Sequence, residues 1–492
     1  MATPDLLLAI DQGTSSTRAM VFDREGTVVA TAQRDLPQHY PQDGWVEHDP
    51  EDIWTATVAV CRDAVAEVSP DRLAAAGITN QRETCLLWDR TTDEPIHRAI
   101  VWQDRRGADM CDTLAAAGHA DPIRAATGLV LDSYFSATKL VWLLDHVPGA
   151  RAQAEAGNLA FGTIDTFLLW RLTQGQHHAT DATNAARTML FDIHQQTWSA
   201  PLCDLFGVPM SVLPEVRDCV ADFGVVDADI LGVPLPIGGI AGDQHAALIG
   251  QGCVRPGMAK ATYGTGCFVL ANDGLTPPAD NGALLTTVAY RIAGTPTFAT
   301  EGSAFNAGTA IAWLRDSLGI VQTSAGTESL ARGLDDNGGV YFVPAFTGLG
   351  APYWEPAARG AMTGLTRDTG AAHLARAALE AAAYQTHDLL TATGDRPTVL
   401  RIDGSMANND WLAQFLADLL DVTVERPAVT ETTARGAAIL AGLHVGLYGS
   451  LEDVANTWQT AARFEPSINE DRRQTLLNGW QRAVAQVRAG YD

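Results

Sequence analysis

The stretch Leu6-Leu7-Leu8-Ala9-Ile10-Asp11-Gln12-Gly13-Thr14-Ser15-Ser16-Thr17-Arg18 decides how this chain is read. Residues 6–10 form a short apolar run that reads as a buried strand, and residues 11–14 read as the turn that ends it. Gly13 lets the backbone turn tightly and brings amide N–H groups close to an anion. Thr14, Ser15, Ser16 and Thr17 are four consecutive hydroxyl residues that offer further donors to phosphate oxygens. Arg18 adds fixed positive charge. Asp11, at the strand end, has the chemistry to hold Mg²⁺ directly or through water. The same residues also describe a polar hairpin turn with an ordinary Asp cap.

A second segment has the same plan. Residues 260–262 lead into Tyr263-Gly264-Thr265-Gly266, and residues 267–271 resume a strand. By itself this is a plain strand connection. The pair weighs more than either member, because a nucleotide caught between two lobes needs a loop from each.

Around these turns the periodicity predicts strands at 18–22, 27–33 and 75–79. It predicts helices at 50–66, 105–117, 138–144, 307–317, 371–391, 410–420 and 432–443. Gly and Pro cluster at 250–256, which marks a boundary between domains 1–250 and 251–492. At 492 residues the chain exceeds one ordinary core, and strands mix with helices in both halves. The expectation is two α/β lobes with a cleft between them.

Composition excludes several classes. Hydrophobic residues make up 46% and charged residues 18%, which is a globular balance. A net charge of -25 repels phosphate backbones and anionic lipid, so no nucleic-acid or membrane partner is expected. No apolar stretch approaches the ~20 residues of a membrane span, and no basic region precedes the first apolar run. Seven scattered cysteines without Cys-x-x-Cys spacing read as reduced cytoplasmic thiols. Lys139 and Lys260 are the only lysines, and neither follows a glycine, so the Gly-x-x-x-x-Gly-Lys loop is absent. There is no Gly-x-Gly-x-x-Gly fingerprint and no His-Arg-Asp loop. A nucleotide site here uses another architecture.

Longer motifs supply one. Tyr134-Phe135-Ser136-Ala137-Thr138-Lys139-Leu140-Val141-Trp142-Leu143-Leu144-Asp145-His146 resembles one signature of the FGGY carbohydrate kinases. Gly360-Ala361-Met362-Thr363-Gly364-Leu365, followed by His373-Leu374 and Ala377-Ala378-Leu379-Glu380, resembles the other. Gly77-Ile78-Thr79-Asn80-Gln81-Arg82-Glu83-Thr84, Val101-Trp102-Gln103-Asp104-Arg105-Arg106 and Gly242-Asp243-Gln244 are most similar to members of that family that act on glycerol. The resemblance implies two actin-like (ribonuclease H-like) domains, with the active site in the interdomain cleft. It implies ATP-dependent phosphorylation of glycerol to sn-glycerol 3-phosphate by a cytoplasmic enzyme, and it is consistent with a homodimer or homotetramer.

Residue by residue, the resemblance assigns Arg82, Glu83, Trp102, Tyr134, Asp243, Gln244 and Phe268 to glycerol, on the N-terminal domain. It assigns Thr14, Ser15, Ser16, Arg18, Thr265, Gly308, Ser405 and Asn409 to ATP, mainly on the C-terminal domain. The chemistry agrees. Each glycerol hydroxyl both donates and accepts, so its site needs acceptors (Glu83, Asp243), donors (Arg82) and an apolar wall (Trp102, Phe268). An alcohol is a poor nucleophile, and a carboxylate must take its proton. Asp243 follows the apolar residues 236–241 and precedes a helical run, which puts it at a strand end where ligands of α/β folds collect. A helix cap is the bland alternative for it. Asp11, with Asp243 sharing the ion, is the expected Mg²⁺ site. Ser405 stands where a second glycine is common in the family, so its Cβ is expected to crowd the nucleotide, and Ala312 stands where some members carry a Gln that contacts the base, so a weaker hold on the nucleotide is expected there. His245 reads as a structural helix residue.

Overall fold

The computed structural model describes residues 4–279, 283–355, 357–394 and 396–490. The first half builds a six-stranded sheet. Its strands are β1 (Leu6–Gln12), β2 (Ser16–Phe22), β3 (Val28–Asp35), β4 (Leu73–Asn80), β5 (Val225–Val226) and β6 (Leu235–Gly242), in the order β5-β6-β4-β1-β2-β3. The second half builds a seven-stranded sheet. Its strands are β7 (Met258–Tyr263), β8 (Cys267–Gly274), β9 (Leu285–Ile292), β10 (Thr295–Ala304), β11 (Val399–Asp403), β12 (Thr423–Pro427) and β13 (Thr460–Phe464), in the order β9-β10-β8-β7-β11-β12-β13.

The two sheets share a plan. Strands β6, β4 and β1 run parallel, and β1, β2 and β3 then alternate in direction. Strands β12, β11 and β7 run parallel, and β7, β8 and β10 alternate. The two glycine-threonine turns therefore leave equivalent strands, β1 and β7. This repeat lies in topology, where the residue types alone gave only a common layout.

The helices that position the site are α1 (Pro50–Ala66), α2 (Ser136–His146), α3 (Ala182–Ala185), α4 (Asp243–Gly250), α5 (Gly308–Ala312), α6 (Ala371–Ala392), α7 (Asp410–Leu420), α8 (Thr432–His444) and α9 (Glu470–Ala489). Helices α1 and α7 span the predicted residues because their caps are chemically explicit. Asp49 accepts from the Glu51 N–H ahead of Pro50, and Asn409 accepts from the Leu412 N–H. The helix expected over 105–117 starts later, at Ala108, because the Asp104 carboxylate takes the Arg106 N–H and holds the chain in a turn. The helix expected over 307–317 stops at Ala312. A widened π turn follows over Trp313–Ser317 and carries Trp313 onto Phe342 and Phe346, with centroids 5.7 and 5.4 Å away. Helix α9 has no counterpart among the predicted elements. Its anchor is Trp480, which stacks on Tyr384 at 5.2 Å and donates to Asp388. Among the described residues no helix is long and apolar enough to cross a membrane.

Strand β1 is buried throughout and apolar over residues 6–10 because both faces of its sheet are covered. Leu6, Leu8 and Ile10 pack in one core with Ile53 and Val60 of α1. Leu7 and Ala9 pack against Ala434, Ala437 and Ala441 of α8. Helix α8 belongs to the second half of the chain, yet it lies on the first sheet and alongside α4. That contact is close. A Cβ on Gly436 would overlap the Ala246 carbonyl oxygen, and one on Gly250 would overlap the Thr432 carbonyl oxygen. Gly436→Ala is expected to force the helices apart and cost about 1–3 kcal/mol in a urea or thermal unfolding curve. An unchanged midpoint would contradict the close-packed crossing.

Candidate active site

The turn after β1 is closed by the Gly13 N–H donating to the Ser16 carbonyl at 2.9 Å, and Ser15 is exposed on it. The turn after β7 is closed by the Gly264 N–H donating to the Gly266 carbonyl at 2.9 Å, and Thr265 is exposed on it. Gly308, at the start of α5, donates its N–H to the Gly264 carbonyl at 3.0 Å, and a Cβ there would overlap that oxygen. The backbone of α5 thus lies against the turn. Gly404, with φ +85°, packs as closely on the Tyr263 backbone. That close approach falls on Gly404. Ser405, next in the chain, is exposed.

Two expectations about the first turn change. Thr17 is fully buried on β2, so three hydroxyls, not four, remain near the surface. Strand alternation explains this, since Thr17 points inward between Ser16 and Arg18. Arg18 is also not a free cation. It pairs with Glu431, just before α8, and lies 3.5 Å from Asp11. Asp11 is buried, and burial pushes its carboxyl up to about 6. Arg18 opposes that shift, while Asp243 and Glu431 add to it.

Beside the first turn stands an aromatic wall. Trp102 meets Tyr134 edge-on at 5.6 Å and Phe268 of β8 at 6.4 Å, so both halves contribute. The Trp102 indole N–H donates to Thr14 Oγ1 at 2.9 Å, which ties the wall to the turn. Burial pushes the Tyr134 phenol well above its ordinary range. Lys139, fully buried on α2, holds the backbone of this region by donating to the carbonyls of Ser133, Tyr134 and Phe135.

Behind the wall lies a buried ion network. Arg82 follows β4, and both its terminal nitrogens reach Glu301 of β10, at 2.6 and 3.0 Å. Arg187, two residues past α3, donates to Glu83 at 2.6 Å and to Glu301 at 3.0 Å. All four side chains are essentially inaccessible. Glu301 takes three of these contacts and is held far below the usual carboxylate range despite its burial. Glu83 has one short contact, and burial pushes it up. Arg82 Nε also lies 3.1 Å from Asp243 Oδ1. The Arg82–Glu83 neighbours therefore serve other partners more than each other. Their own approach is 4.0 Å.

Asp243 is the first residue of α4, and its side chain is about a third exposed. Its Oδ1 accepts from the Gln244 N–H at 2.6 Å. Among the described residues, Oδ2 has no protein donor. Gln244 is buried and accepts through Oε1 from Lys260 of β7. Beneath this end of the first sheet, Asp165 and Asp181 are fully buried with Asn80 and Asn184. Burial and the Asp181 charge push Asp165 up to about 7. Asn409 of the nucleotide set spends its side-chain oxygen on capping α7, and Ala312, at the end of α5, is half-buried.

The fold thus brings Thr14, Trp102, Tyr134 and Phe268 together, and Arg82, Glu83 and Asp243 together. Sequence reasoning missed Arg187, Glu301 and Lys260. A signal existed: Glu301 sits in Thr295–Ala304, a strand otherwise free of charge, and a lone charge there needs a buried partner.

Comparison with known proteins agrees over the whole chain. Residues 6–250 match the N-terminal domain, and residues 259–445 the C-terminal domain, of the FGGY family of carbohydrate kinases. The chain is 60% identical to a glycerol kinase of Rhodospirillum centenum and 58% identical to one of Alcanivorax borkumensis, covering 98% of each chain in both comparisons. It superposes on the crystal structure of Plasmodium falciparum glycerol kinase with ADP at a TM-score of 0.92, with 34% identity and 99% of both chains covered.

Two outcomes follow from the buried charges. Glu301→Gln strips the shared anion from between two buried guanidiniums and is expected to cost about 3–5 kcal/mol of stability. A variant that unfolds at the wild-type denaturant concentration would show that the network carries no such load. Asp165 keeps in the folded state a proton that the unfolded chain has already released, so its contribution to stability falls as pH rises from about 4 to about 7. Asp165→Asn is expected to flatten that decline. Melting temperatures that fall with pH as steeply as in wild type would contradict it.

Proposed function

The chain belongs to the FGGY family of carbohydrate kinases, and from that premise we propose that it transfers the γ-phosphoryl group of ATP to a terminal hydroxyl of glycerol, giving sn-glycerol 3-phosphate. Its fold is the two-domain, actin-like (ribonuclease H-like) α/β fold of that family. The observation that carries the reading is the Trp102–Thr14 hydrogen bond, which leaves one side chain between an aromatic wall and a phosphate-type turn.

Phosphoryl transfer asks the protein for positioning and charge stabilisation more than for covalent chemistry. In this reading glycerol lies on the first half of the chain, up to about residue 250, with Phe268 completing the wall. Its carbons rest on Trp102 and Phe268, and its hydroxyls face Arg82, Glu83, Tyr134, Asp243 and Gln244. Asp243 is the general base. Arg82 and the Gln244 N–H both engage Oδ1, which leaves Oδ2 to receive the hydroxyl proton. The second half holds ATP: Thr265 on its turn and Gly308 of α5 against that turn, with Ser405 and Asn409 nearby. Thr14, Ser15, Ser16 and Arg18 close on the phosphates from the other side.

Mg²⁺ fits this donor set. Asp11 and Asp243 offer hard oxygen ligands, and the raised Asp11 carboxyl is a group that a divalent cation would relieve. The ion would be held by one or two carboxylates, with nucleotide oxygens and water completing its shell. When bound, the ion neutralises phosphate charge. A cytoplasmic location belongs to the same reading and is supported by seven buried, unpaired thiols. So does a homodimeric or homotetrameric assembly, by analogy with the family.

Asp243→Asn keeps the contact to the Gln244 N–H and removes the base. Glycerol-dependent ADP release is expected to fall by roughly 10²–10⁴. A rate within several-fold of wild type would move the base elsewhere.

A further inference from the structure

The chain holds 33 lysines and arginines, and only two of them are lysine. Both lysines are fully buried. The basic side chains at the surface are all arginine, and lysine occurs at two interior positions only. The physical difference lies in shape. An ammonium is compact, with three donors and no acceptor, whereas a guanidinium is a planar fork. Lys139 meets three carbonyls that converge on one point. Lys260 meets two oxygens, Gln244 Oε1 and Thr262 Oγ1, the second at 2.9 Å.

The Lys260 contact has a chemical consequence. An ammonium can only donate, so the side of the Gln244 amide that faces it must be the oxygen. The NH₂ group is then forced to the other side. Among the described residues, Gln244 Nε2 has no protein acceptor. Gln244 is neighbour to Asp243 in the chain, and its side chain ties α4 to β7. Burial pushes the Lys260 ammonium down, and the Asp403 and Asp243 carboxylates oppose that.

We propose that Lys260 is a positioning residue that locks the Gln244 amide as a hydrogen-bond donor to a hydroxyl oxygen of the polyol. The assignment rests on the kinase reading above. Asp243 accepts from the reacting hydroxyl, and the locked amide donates to a hydroxyl oxygen beside it. The two neighbours thus present opposite polarity to one substrate. A free amide could flip and offer either face, and it would then select less well for a substrate with hydroxyls on adjacent carbons.

The test is a double-mutant cycle read by steady-state kinetics: wild type, Lys260→Met, Gln244→Ala and the double variant. Each single change is expected to raise the KM for glycerol about tenfold and to leave the KM for ATP within about twofold, the scale of one lost hydrogen bond. The double variant is expected to match Gln244→Ala, because Lys260 acts through that side chain. Multiplicative losses would overturn the proposal. Gln244→Glu covers the case in which Lys260→Met fails to fold. It keeps a partner for Lys260 but offers only acceptor oxygens. It is expected to melt near wild type with a glycerol KM raised as in Gln244→Ala. A wild-type glycerol KM in Gln244→Glu would overturn the donor assignment. A wild type that turns over no glycerol would overturn the kinase reading itself, and this assignment with it.

Discussion

Two guanidiniums and two carboxylates, Arg82, Arg187, Glu83 and Glu301, are buried together with almost no access to water. Burying one such charge alone costs several kcal/mol, so each member is tolerable only while the others stay in place. The members come from the end of β4, the loop after α3 and the middle of β10. The network therefore fixes how the first and second halves of the chain meet. It also sets the orientation of Arg82, and through Arg82 the environment of Asp243 Oδ1. A site that must hold a neutral triol and a polyanion needs this kind of rigidity, because neither ligand brings enough apolar surface to organise the pocket around itself.

The second tie between the halves is steric. Helix α8 lies on the first sheet although it belongs to the second half, and glycines at the crossing admit backbone against backbone. Asp243 opens α4, the helix packed on α8, and its Oδ1 lies 3.1 Å from Arg82 of the ion network. The general base of the proposed reaction is thus tied to both. Its own side chain stays about a third exposed.

The polar groups of the site are also apportioned by donor and acceptor type. Lys139 takes carbonyls near Tyr134, Lys260 takes the Gln244 oxygen, and Arg18 takes Glu431. In each case a cation is satisfied by the protein, so the groups left facing the cleft have a defined polarity before any ligand arrives. Pre-organisation of this kind lowers the cost of ordering polar side chains on binding.

Much of this was legible in the residue order. Residues 6–10 are apolar without alternation, which specifies a strand covered on both faces, and Gly13 and Gly264 mark the turns. Asp49-Pro50 and Asn409 place helix starts by local hydrogen bonding alone. Asp243 could be found because a strand end followed by a helix start is a local pattern. The rest required the fold. Thr17 differs from Ser16 only in which face of β2 it occupies, and Arg18 loses its free charge to Glu431, 413 residues away. Glu301 and Arg187 carry no local signature of their partners, since they stand 114 positions apart and meet only through the packing of the second sheet on the first half. The sequence by itself determined the strands, turns and capped helices, because those depend on neighbours within a few residues. The tertiary structure decided which charges are paired and which remain for chemistry, because a buried charge is stabilised by whatever the fold places beside it.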